Sequence, residues 1–266
     1  MKFHVYTVCY NEEYLLPAFL KHYEQADKIF ILDNESTDSS REIAEKAGCE
    51  IRTFKTGDTL DDASFLSLKS SCWKESIGES DFVIIQDLDE LLHFPKYPGD
   101  IRRGLLELQQ NNITAAQCIG YTMVCSDKEF KAYREINGQI VDHIKTGFVG
   151  DFIDRYAYDK VLLFNPNEIT EPNFTIGNHR WRPVGNVRMA PDSLRPLLLH
   201  YKHIGEEWEF TRRCLFRDRR SQNSRQKGWS RHYEMTDEKT REYIAQIHSS
   251  PRVVDLSAVL KPLCFN

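Results

Sequence analysis

Residues 82–90 read Phe82-Val83-Ile84-Ile85-Gln86-Asp87-Leu88-Asp89-Glu90. Four aromatic or β-branched residues in a row have the length and composition of a strand buried on both faces. The run ends in two carboxylates two residues apart, which in extended chain point the same way and can share one target. Carboxylates that close repel each other unless a cation or a pair of hydroxyls lies between them. Hard oxygen ligands suit Mg2+ or Mn2+, whose other positions are filled by phosphate and water. A bare Asp-x-Asp is also what a solvated strand end looks like, so its surroundings must decide.

Upstream, strand and helix alternate. The β-rich run 3–9 stops at Tyr10-Asn11-Glu12-Glu13, and Leu15, Leu16, Phe19, Leu20 and Tyr23 form a helical stripe. The apolar run 28–32 leads into Asp33-Asn34-Glu35-Ser36-Thr37-Asp38, a turn with capping residues, and a helix that ends at Gly48. A third strand over 50–54 and a helical pattern over 61–77 complete the series. This spacing predicts βαβ units, a parallel sheet, and a ligand beyond the carboxyl ends of its strands. Downstream, a helix is expected over 100–111 and strands over 115–123, 160–164 and 197–202. Residues 124–159 read as substrate-facing loops. Two helices, 206–217 and 236–248, flank a basic loop that contains Gly228.

A chain of 266 residues with 41% hydrophobic and 28% charged residues is an ordinary globular composition. A net charge of -5 and a pI near 6.0 exclude a generally basic, nucleic-acid-coating surface. Residues 211–231 differ locally, with eight Arg or Lys against the single acid Asp218. The seven cysteines show no metal-binding spacing and read as reduced core residues. With no apolar run of membrane-spanning length and no visible signal peptide, the expectation is a cytoplasmic protein.

The order Tyr10-Asn11-Glu12-Glu13, then a strand ending in Asp33-Asn34-Glu35-Ser36-Thr37-Asp38, then Asp87-Leu88-Asp89 resembles family 2 glycosyltransferases over about the first 95 residues. Lys160, Gly177-Asn178-His179 and Leu199-His200-Tyr201 are similar to the divergent bacterial and viral branch of that superfamily. The resemblance implies an α/β GT-A fold, the nucleotide-diphospho-sugar transferase fold. That is a Rossmann-like mixed sheet with helices on both faces and a C-terminal helical extension. The implied division is a catalytic domain over 1–205, with a nucleotide-binding half (1–95) and an acceptor half (96–205), followed by the extension over 206–266.

The site residues follow from the same resemblance. Thr7, Tyr10 and Asn11 match positions near the nucleotide base, with Tyr10 offering a stacking face. Asp33 matches the acid that accepts from a base imide N–H, which favours UDP or dTDP over ADP; as plain structure it would cap the Ser36-Thr37 turn. Lys69 stands where a base approaches the nucleotide. Asp87 is expected on the ribose or a metal water, Asp89 on the Mn2+ or Mg2+ ion, and His200 or His179 as a returning metal ligand. Asp151 and Asp154 are the candidates for the base of an inverting transfer; the family's usual acidic pair at that place is absent. Arg220, Lys227 and Arg231 are candidates for clamping the diphosphate, in a segment expected to close over it, or to face anionic lipid at the inner side of a membrane.

The expected activity is transfer of a sugar from a nucleotide-diphosphate donor to a saccharide or glycolipid hydroxyl in polysaccharide assembly. Two other readings compete with it. One is a haloacid-dehalogenase-type phosphatase using Asp87 and Asp89, although Leu91 stands where that family has Thr or Val. The other is a non-catalytic carbohydrate-binding module on a transferase scaffold, which the intact Asp87/Asp89 pair argues against.

Overall fold

The computed structural model describes residues 1–136 and 138–260; the last six residues of the expected C-terminal extension lie outside them. Strands β1 (Phe3–Cys9), β2 (Lys28–Asp33), β3 (Glu50–Thr53) and β4 (Phe82–Asp87) alternate with helices α1 (Leu16–His22), α2 (Ser40–Lys46) and α3 (Asp62–Ser71). They pair in the order β3-β2-β1-β4, all parallel, with Val8 opposite Asp87 and Cys9 opposite Asp33. The direction of winding reverses between β1 and β4, and a ligand crevice belongs at that point.

Alternation along the strands sends residues to two cores. Phe3, Val5, Ile31, Phe82 and Ile84 meet Leu16 and Phe19 of α1, Ala44 of α2, and Leu105 and Leu108 of α4 (Ile101–Gln110). On the other face Tyr6, Phe30, Val83 and Ile85 meet Trp73 and Leu66, with Tyr6 and Phe30 stacked at 4.3 Å. Helices therefore cover both faces of β1, β2 and β4, which are largely apolar, while the edge strand β3 stays polar and mostly exposed. Side-chain caps start the helices where Asp61 accepts from Ser64 N (3.0 Å) and Asp100 from Arg103 N (2.9 Å).

The chain then leaves the first sheet at the acidic pair. After Leu88-Asp89, β5 (Glu90–His93) enters a second sheet. The run expected as one strand over 115–123 is likewise broken at Cys118. Its first part, β6 (Ala115–Gln117), pairs antiparallel with β9 (Val161–Phe164), which itself runs antiparallel to β4 in the first sheet. Its second part, β7 (Ile119–Cys125), lies in the second sheet, ordered β13-β8-β7-β12-β5 with β8 (Thr146–Val149), β12 (Leu197–Ile204) and β13 (Val254–Asp255). Strands β10 (Ile169–Glu171) and β11 (Val184–Gly185) form a separate hairpin.

The stretch 124–159, expected as loops, holds α5 (Asp127–Ile136), α6 (Ile140–His143) and β8. Helix α5 buries only Phe130 and Tyr133, three residues apart on one face of a mostly polar decapeptide. Helix α7 (Glu206–Arg219) is as expected; the stretch expected as a basic loop holds the short α8 (Gln222–Gln226), and the expected α9 (Asp237–His248) follows. The mixed sheets with helices on both faces are those the sequence predicts. Among the described residues, no helix is long and apolar enough to cross a membrane.

Candidate functional site

A cleft of about 530 Å3 opens at the carboxyl ends of β1 and β4. The β4–β5 passage sets Asp87, Asp89 and Glu90 on its floor. Strand β12 then pairs antiparallel with β5, His200 opposite Glu90, while Tyr201 N donates to Asp89 O at 2.7 Å. That register brings His200 Nε2 to 3.5 Å from Asp89 Oδ2, from residues more than a hundred positions apart.

Each carboxylate on the floor already has a cation. Asp87 pairs with Lys69 of α3. Burial would raise its carboxyl, but the ammonium groups of Lys69 and Lys160 hold it below the usual range. Asp89 Oδ2 accepts from Arg212 of α7 at 2.6 Å. Against the opposing effect of burial, Arg212 and His200 keep it well below the ordinary carboxylate value. Arg212 also reaches Glu12 Oε1 at 2.6 Å, tying α7 to the start of α1. Glu12 is pushed up to about 7 by burial, which its Arg212 partner only partly offsets. Behind the floor, Lys160 and Glu90 form a buried pair at 2.5 Å.

The structure brings Tyr10, Lys69, Asp87, Asp89, Asp151, His179 and His200 onto one cleft. Other expected residues lie elsewhere. Thr7 is buried inside β1, and Asn11 clamps the neighbouring turn, its Oδ1 accepting from Thr37 N at 2.7 Å. Asp33 does not line the cleft; it is 2% exposed and accepts from Ser36 N at 3.1 Å, the turn-capping role. Asp154 is an exposed turn residue accepting from Tyr156 N at 2.9 Å, whereas Asp151 faces the cleft with its Oδ1 on Phe152 N.

In the basic segment the expected diphosphate residues do not line the cleft. Arg220 pairs with Glu234 and donates to Trp229 O at 2.7 Å. Lys227 lies over the Trp229 ring at 4.5 Å, and Arg231 is exposed. Arg212 and Arg219 reach the cleft instead. They are seven residues apart, two turns of one helix face, but Arg213 and Arg220 share that spacing, so the sequence did not single them out. Arg219 lies over the Tyr10 ring at 3.1 Å and donates to Asn34 Oδ1 at 2.9 Å.

Among the described residues, three that line the cleft carry buried atoms without a hydrogen-bond partner, Asp62 Oδ2 being one. His200 Nδ1 is buried and unpaired, and both amide atoms of Asn178, 2% exposed on the cleft wall, are unpaired as well. Asn178 follows Gly177 through two successive left-handed backbone positions, φ 57° and 68° respectively, a conformation that costs a non-glycine residue about 1 kcal/mol and gathers at functional sites.

For a divalent ion, Asp89 and His200 supply an oxygen and a nitrogen from opposite walls of one corner, a donor set that suits Mn2+. Among the described residues no three His, Cys, Asp or Glu side chains converge. An ion here would take its remaining positions from ligand oxygens and water, as Mg2+ and Mn2+ commonly do.

No protein-family model and no curated protein matches this sequence. Solved structures similar to it include glucosyl-3-phosphoglycerate synthase from Mycobacterium tuberculosis in complex with Mn2+, UDP and glucosyl-3-phosphoglycerate. The same enzyme with Mn2+, UDP-glucose and phosphoglyceric acid, and with Mg2+ and UDP, matches equally. Each is 15% identical with a TM-score of 0.32, over 45% of this chain and 43–44% of that one. The chain thus spans less than half the length of these enzymes, and likeness at this level carries neither family nor activity to it.

Proposed function

We propose that this chain is a glycosyltransferase that moves a sugar from a nucleoside diphosphate to an acceptor hydroxyl, using a divalent cation at Asp89 and His200. The observation behind this reading is the convergence of Asp87, Asp89 and His200 with Lys69 and Arg212 in one cleft at the winding reversal of the sheet. Acids alone would repel a diphosphate and bases alone would not hold a metal; alternating the two accommodates both. The cleft volume falls within the range of small-molecule sites.

When bound, the ion neutralises the diphosphate and acts as a Lewis acid on the leaving group. The chain's own residues do the rest. Lys69 and Arg212 stand beside the floor to meet phosphate charge. Tyr10 and Phe65 line the end where a base stacks, with Arg219 on the Tyr10 face. Asp151, a cleft carboxylate with no ion pair among the described residues, takes the proton of the acceptor hydroxyl in an inverting displacement. The acceptor is a saccharide or glycolipid hydroxyl.

A thermal-shift panel of UDP, dTDP, GDP and ADP, each with and without Mn2+, tests the reading. A nucleotide that binds the folded state adds about 2.7 kcal/mol at a hundredfold excess over Kd, and the shift is expected only with the metal present. If no nucleoside diphosphate stabilises the protein in Mn2+, the reading fails. Trapping of an aspartyl phosphate at Asp87 would replace it with the phosphatase reading.

A further inference from the structure

The far end of the cleft holds more positive charge than a nucleotide site needs. Lys202 lines the cleft two residues beyond His200. Between His200 and His203, strand β12 takes three residue steps against two on β7, a bulge of the kind that re-aims a side chain beside a site. Lys202 is half-buried, and among the described residues it makes no hydrogen bond or ion pair.

Arg213 is 5% exposed, and one of its terminal nitrogens is buried without a partner. Its Nε donates to Glu209 Oε1 at 2.6 Å, but that carboxylate is shared with His203 Nδ1 at 2.8 Å and faces His248 at 3.5 Å. Lys202, Glu209, Arg212 and Arg213 line a side chamber of about 10 Å3 off the floor, room for a single oxygen-sized group, so an anion on Lys202 in the cleft would reach Arg213 through one of its oxygens. Two cations against one shared carboxylate leave a positive charge uncompensated in a poorly hydrated place, where a counter-ion is worth most. The charge of Asp151 also acts on Lys202, yet the two lie beyond ion-pair reach and leave space between them.

We propose that this end of the cleft is a subsite for an anionic group of the acceptor, a carboxylate or phosphate held by Lys202 and Arg213 while Asp151 faces the hydroxyl to be glycosylated. The assignment rests on the glycosyltransferase reading for the word acceptor, and on Lys202 and Arg213 for the anion. Arg212 borders the chamber too, but its guanidinium is held by Glu12 and Asp89 on the donor side, which leaves Lys202 and Arg213 for a different group.

Calorimetry on the protein preloaded with UDP and Mn2+ provides the test, using matched probes: glycerol against glycerol 3-phosphate, glucose against glucuronate, and inorganic phosphate alone. The anionic member of each pair is expected to bind at least about tenfold more tightly. Lys202→Met should erase that preference and Lys202→Arg should keep most of it. Equal binding within the pairs, or an unchanged preference in Lys202→Met, overturns the proposal. So does phosphate that competes with UDP, or a preference for UDP-glucuronate over UDP-glucose that Lys202→Met removes, since either moves the anion to the donor. Phosphate titrated without UDP reads the cationic cluster by itself, so failure of UDP to bind would count against the transferase reading and not against the subsite.

Discussion

Asp89 is the residue on which most of the cleft depends, because Arg212, His200 and the proposed ion all converge on its carboxylate. Asp89→Ala is expected to abolish the Mn2+-dependent part of UDP binding and to lower turnover by about 100-fold or more, the scale of removing one preorganised electrostatic partner. Arg212 keeps Glu12, so circular dichroism should remain that of a folded protein. If Asp89→Ala retains full Mn2+-dependent transfer, the metal assignment is wrong. Asp33 belongs to a different class of acid. Its carboxylate caps the Ser36 amide, so Asp33→Ala should cost about 1 kcal/mol as a lost cap and leave the order of affinities for UDP, GDP and ADP unchanged. A reordered base preference in that variant would return Asp33 to the nucleotide.

At the scale of elements, α7 is what turns a sheet edge into an enclosed site. It delivers Arg212 to Asp89 and Arg219 to Tyr10 from one face. Its entry angle is set by Gly205, whose φ of 72° lies in the left-handed region and whose amide donates to Cys125 O at 2.9 Å. A Cβ there would stand 2.8 Å from the Phe130 ring. Gly205→Ala is therefore expected to lose about 1–2 kcal/mol of stability from backbone strain alone, and to weaken UDP binding in Mn2+ by shifting Arg212. Denaturant midpoints and the thermal-shift panel read the two effects separately. A variant destabilised to that extent with undiminished nucleotide affinity would show that α7 does not position the site.

Across the whole molecule, burial of histidines sets the response to acid. His22 and His93 are each lowered to about 4, burial being the main cause. The unfolded chain binds a proton at each near the ordinary value of 6.5, before the folded chain does. The stability these groups contribute is thus complete above about pH 6.5 and is lost as pH falls toward 4, by roughly 3 kcal/mol per residue at the end of that window. Melting temperature should decline steeply between pH 6.5 and 4.5, and less steeply in His22→Gln, which keeps a donor for Leu92 O, the carbonyl His22 reaches at 2.8 Å. A flat profile over this interval, or the same slope in the variant, would contradict the burial of a neutral His22.

Much of this architecture is local and was readable as such. Runs of apolar residues separated by capped helical stripes specify β1 to β4 and α1 to α4, and the strand ending in Asp87-Leu88-Asp89 marks the crevice, because hydrophobic period and turn chemistry act within a few residues of each other. What lay beyond reading depends on partners far apart in the chain. The break at Cys118 and the strand Glu90–His93 follow from pairing with β9 and β12, not from any local signal. Of the eight basic residues in 211–231, composition cannot tell which face α7 turns inward; packing aims Arg212 and Arg219 at the cleft and ties Arg220 to Glu234. Lys202 looked like one more residue of an apolar strand. Only the tertiary structure sets it beside Arg213 with too little negative charge to balance them, since charge balance is a sum over neighbours in space and the chain order does not contain it.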